Sequence, residues 1–313
     1  MKKIKVLSFM ILLILLSGCR TNRDTEITGD ERVSIVTTTS FLTDLVQTIG
    51  GENVSVTGLM GPGVDPHDYQ PSTSDIVAMG EADVVIYNGL ALEERFSEVF
   101  DQLGERGVLT LVAAEGLDDR DVLFDPEEDD SQALDPHIWF SVSRWKQVTR
   151  YIAEELSQRD PENAEYYNNN ATEYLSELDE LEKYITSRVS EVPESSRYLV
   201  TAHDAFQYFG EEFGFEVVGL QGLNTRTEAG TGDISQMATF IVENNIGAVF
   251  VESSVSPRSI EALVEATNSR GHELQNAGEL YSDALGSSED NADTYITMYR
   301  SNIDTIVDAL KND

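Results

Sequence analysis

The sequence predicts an α/β protein of two lobes, each with a mainly parallel β-sheet flanked by helices, joined by one long backbone helix. Three observations carry this. Short β-branched runs alternate with amphipathic helical runs between residues 33 and 161, the pattern of a parallel sheet covered by helices. The same alternation returns over residues 193–313. Between them, from Glu162 to Val192, the residues Tyr167, Ala171, Tyr174, Leu178, Leu181, Ile185 and Val189 lie three or four apart, and neither Gly nor Pro interrupts before Pro193. A helix of that span rises about 45 Å, far beyond the usual length. It reads as a rod linking an N-terminal lobe (33–161) to a C-terminal lobe (193–313), with 162–192 as the link.

In the first lobe, Arg32–Thr39 is a strand rich in β-branched residues. Ser40 is placed as an N-cap, Phe41, Leu42, Leu45, Val46 and Ile49 follow at helical spacing, and Gly50-Gly51 stops the helix. Val54–Met60 is a strand, Ser74–Ala82 a helix, Asp83–Tyr87 a strand, Glu93–Leu103 a helix and Val108–Ala113 a strand. The segment 115–130 is dense in acids and shows no regular period, so a mobile surface loop is expected. Ser141–Gln158 is a helix ended by Asp160-Pro161. In the second lobe, strands are expected at Arg197–Ala202, Glu216–Leu220, Ala248–Glu252 and His272–Gln275. Helices are expected at Ala205–Phe213, Asp233–Asn244, Pro257–Arg270 (N-cap Ser256) and Thr294–Leu310.

The N-terminus has its own logic. Lys2, Lys3 and Lys5 precede an apolar run from Val6 to Leu16, too short to cross a bilayer as a helix. Leu16-Ser17-Gly18-Cys19 matches a bacterial lipobox. Residues 1–18 therefore read as a lipoprotein signal peptide, Cys19 as the lipidated residue, and 19–32 as a polar tether. Cys19 is the only cysteine, so no disulfide forms within the chain. The expected location is the outer face of the bacterial cell membrane, held by lipid. The formal net charge of −36 repels nucleic acid and favours cations, although a solvated acidic coat is the plainer reading of it. Removing residues 1–18 takes away three lysines and no acid, so the processed chain is more acidic still.

The chain has only four histidines, and two of them repeat one tripeptide, as Asp65-Pro66-His67 and Asp135-Pro136-His137. Proline fixes φ and biases the preceding aspartate toward extended conformations. Each His is thus presented on a stiff turn, as suits a metal ligand; an ordinary turn histidine is the plainer alternative. In open α/β sheets, ligand groups collect at the carboxyl ends of strands. His67, His137, His203 and Asp283 all follow strands or apolar runs, two in each lobe. Three imidazoles and a carboxylate suit a divalent first-row metal, Zn²⁺ by the imidazoles, with Mn²⁺ allowed by the carboxylate. His272 reads as a surface or strand-start residue. Asp65 and Asp135 either orient the imidazoles from behind or cap their turns, and Asp68 and Asp204 have no assigned role.

The segments Gly63–Pro71, Asp135–Trp139, Thr201–Phe206, Val251–Pro257 and Gly278–Gly286 together resemble the cluster A-I metal-binding lipoproteins, the substrate-binding components of zinc or manganese ABC importers. The resemblance covers essentially the whole processed chain. It implies His67 and His137 as ligands from the first lobe and His203 and Asp283 from the second. It further implies an ABC permease and its ATPase as partners, and a monomer that is not an enzyme. His at 203 favours zinc over manganese. Members specialised for zinc often carry a histidine-rich loop before the second ligand; here that loop is acidic and lacks His, which keeps Mn²⁺ close behind Zn²⁺.

A lipid-anchored zinc hydrolase is one rival reading. Four protein ligands leave little room for a catalytic water, and the chain has no His-Glu-x-x-His, Gly-x-Ser-x-Gly or phosphate-binding glycine loop. An adhesin is another, with no stretch that supports it directly. A stiff linking helix predicts local rearrangement around the ligands in place of wide hinge closure.

Overall fold

The computed structural model describes residues 32–124 and 133–311. The signal peptide, the lipobox and nearly all of the tether lie outside the described residues, as does much of the acidic segment. Among the described residues, no helix is long and apolar enough to cross a membrane.

The N-terminal lobe runs β1 (Val33–Thr37), α1 (Ser40–Gly50), β2 (Val54–Gly58), α2 (Thr73–Glu81), β3 (Val84–Tyr87), α3 (Ser97–Arg106) and β4 (Leu109–Val112). Its sheet has the order β2-β1-β3-β4, and every pairing is parallel. The chain leaves β1 toward β2 on one side and returns to β3 on the other. That reversal opens a crevice at the carboxyl ends of the strands. Two helices follow, α4 (Val142–Arg159) and α5 (Ala164–Val189). The C-terminal lobe runs β5 (Tyr198–His203), α6 (Gln207–Phe213), β6 (Glu216–Gln221), α7 (Thr231–Glu243), β7 (Ala248–Glu252), α8 (Arg258–Asn268), β8 (Gln275–Leu280) and α9 (Tyr295–Leu310). Here the sheet consists of two parallel pairs, β5-β6 and β7-β8, with β5 beside β7.

The α/β class and the long helix are as expected, and the differences are local. The linking helix has 26 residues, about 39 Å, because Pro161 opens a separate 3-10 turn and the chain leaves the helix before Pro193. The N-cap of α1 is Thr39, whose side chain accepts from the N–H of Leu42. Ser40 points instead toward the second lobe, where its Oγ accepts from the N–H of Leu285 at 2.8 Å. Helix α8 is capped by the backbone at Pro257 and not by Ser256. Strand β8 starts only at Gln275, since Leu274 is bound through both backbone groups to the side chain of Asn268 at the end of α8. His203 is the last residue of β5 and does not follow it. Within the acidic segment, Ala113–Gly116 and Asp119–Asp121 form short 3-10 turns, and Phe124 bridges Leu134.

All seven periodic positions of α5, from Tyr167 to Val189, are buried. Leu178, Leu181 and Ile185 are fully enclosed, and each such side chain contributes about 1.5–3 kcal/mol of burial. They belong to one uninterrupted core that takes in Ile35 and Val84 of the first sheet and Leu199, Ala248 and Leu280 of the second. A separate core lies under α7 and α8, around Val200, Ile241, Val249 and Leu263.

One half-buried carboxylate joins the ends of this core. Asp44 of α1 accepts the N–H of Tyr295, the first residue of α9, at 2.9 Å. Burial outweighs that hydrogen bond and, with the nearby Asp293 and Glu177 charges, pushes its carboxyl up from 3.8 to about 6. The folded state thus binds the proton more tightly than the unfolded chain. The resulting stabilisation, on the order of 3 kcal/mol, is fully present below pH 3.8 and lost as pH rises through about 6. Asp44→Asn, which keeps an acceptor without the charge, is expected to raise unfolding free energy at pH 8 more than at pH 4. Urea denaturation at the two pH values checks this, and equal shifts would contradict it.

Candidate metal centre

The two Asp-Pro-His tripeptides build the same local structure. In each, the aspartate Oδ1 accepts the backbone N–H of the histidine two residues on, at 2.8 Å for Asp65 and 2.9 Å for Asp135. This side-chain turn and the intervening proline fix where each imidazole starts. The copies then diverge. Asp135 Oδ1 also lies 2.7 Å from Nδ1 of His137, whereas Asp65 Oδ2 takes the hydroxyl hydrogen of Thr225 from the opposite lobe. Asp135 therefore orients its imidazole, and Asp65 caps its turn and ties the lobes. The amide of Asn88 donates to Pro136 O at 2.9 Å and steadies the second turn.

From these starting points four side chains converge. One ligand atom each from His67, His137, His203 and Asp283 can be chosen so that all lie within 4.8 Å of one another. The Nε2 atoms of His67 and His137 are 3.2 Å apart. Asp283 Oδ1 lies 3.3 Å from Nε2 of His203, 3.6 Å from that of His137 and 3.9 Å from that of His67. All four residues are buried, His67 being the most open at 4% exposure. Asp283 Oδ2 accepts from Ser254 Oγ at 3.0 Å, so its other oxygen is left for the cluster. Buried Oδ1 of Asp283 and Nε2 of His203 have no hydrogen-bond partner. Unpaired buried polar atoms are rare and call for an explanation.

Burial lowers the pKa of His67 and of His137 to about 3, overcoming the attraction of Asp283. Both rings are therefore neutral at neutral pH, each with one nitrogen that carries a lone pair. For His203, burial acts in the same direction, but the carboxylates of Asp283 and Glu252 overcome it and raise its pKa well above the ordinary value. Asp283 is the counterpart: burial opposes ionisation, yet the positive charge of His203 holds it well below the usual carboxylate range. A cation in the cluster would take over the role of that imidazolium.

The loop after β6 closes one side. Thr225 reaches Asp65 as described, and Arg226 pairs with Glu94 of the first lobe at 2.5 Å. Leu223, Asn224 and Arg226 line a cavity of about 490 Å³ with Leu90, Ala91 and His67. Leu90 and Ala91 hold left-handed backbone, at φ 54° and 61°. The buried carboxylate of Glu93 supports them by accepting from the N–H groups of Asn88 and Gly89 and from the Thr38 hydroxyl.

His272 stands apart, with Nε2 2.6 Å from Ile246 O. Asp68 pairs with Arg95 at the surface, and Asp204 accepts from the Gln207 amide. Sequence reasoning passed over Glu252, although the signal was present: it is the only charged residue in the otherwise apolar, wholly buried strand β7.

Two parallel-sheet lobes on a stiff helix, with three imidazoles and a carboxylate between them, define a solute-binding protein fold carrying a divalent-metal type of donor set. Residues 35–309 match the model of the family described as zinc-uptake complex component A, periplasmic, and the chain belongs to that family. It is 42% identical over 296 residues, 95% of each chain, to the manganese-binding lipoprotein MntA of Bacillus subtilis. It is 40% identical over 283 residues, 90% of each chain, to the zinc-binding protein TroA of Treponema pallidum. The solved structure of the periplasmic zinc-binding protein TroA from Treponema pallidum superposes with a TM-score of 0.85 at 39% identity, over 89% of this chain and 99% of that one.

Proposed function

We propose that this protein captures a divalent transition metal outside the cytoplasm and delivers it to the permease of an ABC importer, with His67, His137, His203 and Asp283 as the ligands. The observation that carries the reading is the buried, converging donor set whose Asp283 Oδ1 and His203 Nε2 have no other partner. Zn²⁺ is the first choice on the strength of three imidazoles, and Mn²⁺ stands close behind because of the carboxylate. Similar relatives divide the same way, one named for manganese and one for zinc. The protein acts as a binding protein and not as an enzyme: four protein donors fill a tetrahedral shell and leave no position for an activated water.

In the same reading, residues 33–161 and 193–313 are the two lobes that share the ion across the 162–192 link. The protein works as a monomer beside a permease and its ATPase, anchored by lipid on Cys19 after removal of residues 1–18. The lipobox supports the anchor, as does the word lipoprotein in the names of similar relatives. Elemental analysis of the protein purified from its own cells, with competitive Zn²⁺/Mn²⁺ titration of the stripped protein, tests the reading. One tightly held ion per chain is expected, and weak or non-stoichiometric binding of both ions would overturn it.

A further inference from the structure

We infer that Glu252 is the positioning residue that makes His203 a metal ligand. The inference rests on the reading of His203 as a ligand and adds to it the group that fixes which ring nitrogen faces the ion. Glu252 ends β7 and His203 ends β5, two neighbouring strands. The carboxylate grips the histidine at two points. Oε1 accepts the backbone N–H of His203 at 2.9 Å, and Oε2 lies 2.5 Å from ring Nδ1. Oε2 and Nδ1 have no hydrogen-bond partner, so this close charge contact is the one interaction that matches them. Both residues are buried, at 2% and 0% exposure, and among the described residues no Lys or Arg pairs with Glu252.

A carboxylate buried this way is costly unless it is matched, and His203 matches it twice, by its backbone N–H at Oε1 and by its ring at Oε2. The consequence is chemical. With the ring hydrogen on Nδ1, beside Oε2, the lone pair of the ring is on Nε2, the atom that lies 3.3 Å from Asp283 Oδ1. A hydrogen bond to the second nitrogen fixes the tautomer and orientation of a ligand imidazole and strengthens it as a donor. His137 has the same arrangement with Asp135.

Glutamine at 252 has the same shape but the wrong chemistry. Its one oxygen satisfies either the backbone N–H or the ring N–H, and its NH₂ group then faces the other donor. Relief comes if the ring moves its hydrogen to Nε2, where it blocks the metal.

The test uses the processed full-length chain, stripped of metal and titrated with Zn²⁺ against a chromophoric chelator. Glu252→Gln is expected to weaken binding about 10- to 100-fold, and His203→Ala by more. The double variant should bind like His203→Ala alone. Unchanged affinity in His203→Ala would sink the ligand assignment itself. A loss in His203→Ala with none in Glu252→Gln, or full addition of both losses in the double variant, would overturn the role of Glu252 alone. Imidazole ¹H–¹⁵N correlation of the Zn²⁺-loaded wild type decides the matter even if the variant folds poorly. A hydrogen on Nδ1 of His203 and metal on Nε2 are expected, and the reverse assignment refutes the inference.

Discussion

Asp283→Asn should cut Zn²⁺ affinity by more than about 100-fold, beyond the loss typical of residues that only support a ligand, and Mn²⁺ affinity by more again. Asp283 is the one anionic donor of the four, and its Oδ1 faces all three imidazoles. Asparagine has nearly the same volume and still accepts the Ser254 hydroxyl, so the shape of the site survives and the charge does not. Manganese relies on hard oxygen donors more than zinc does, which is why the selectivity should move toward zinc. The fold should hold, since backbone groups fix the loop around Asp283: Ser282 O accepts from Trp139 Nε1 at 2.9 Å, and Leu285 N–H donates to Ser40 Oγ. Competitive titration of both ions checks the result; equal losses for the two metals would contradict the argument.

The second large effect lies one strand away from the site. At Gly219 in β6, an added Cβ would sit 2.5 Å from the N atom of Asp204, 2.7 Å from its Cα and 2.6 Å from Gln221 O. All three are backbone atoms, so no side chain can swing aside. Gly219→Ala must therefore push β6 away from the residue that follows His203. Overpacking in a core costs about 1–3 kcal/mol and occasionally more; with only backbone to yield, the upper end is expected. The same displacement should weaken metal binding, because His203 pairs with Gln221 across that edge. Thermal unfolding and Zn²⁺ titration of the variant give the two readouts. A melting temperature within a degree or two of the parent would show that the strands part without cost.

The architecture was legible because its signals are periodic. Seven apolar positions announced α5, and the same seven are its buried face. The histidine candidates stood out because the residue is scarce and twice follows the same Asp-Pro pair. What could not be read were partnerships between residues far apart in the chain. Ser40 has the sequence context of an N-cap, and only the approach of Leu285 gives it another task. Asp65 and Asp135 are identical in context, and their different second partners come from what the fold brings alongside. Glu252 pairs with a histidine 49 positions earlier. Element ends shifted for a related reason: of the strand expected at His272–Gln275 only the last residue joins β8, because Asn268 claims the backbone of Leu274.

The hydrogen bonds from Trp139 to Ser282 and from Leu285 to Ser40 alter how the four donors should be counted. By chain position the site divides evenly, two residues to a lobe. By attachment it does not. Asp283 sits between two backbone groups fastened to the first lobe, while its own Oδ2 is held by Ser254 of the second. Of the four side chains it is the one stitched to both bodies, a seam thread where the others are buttons.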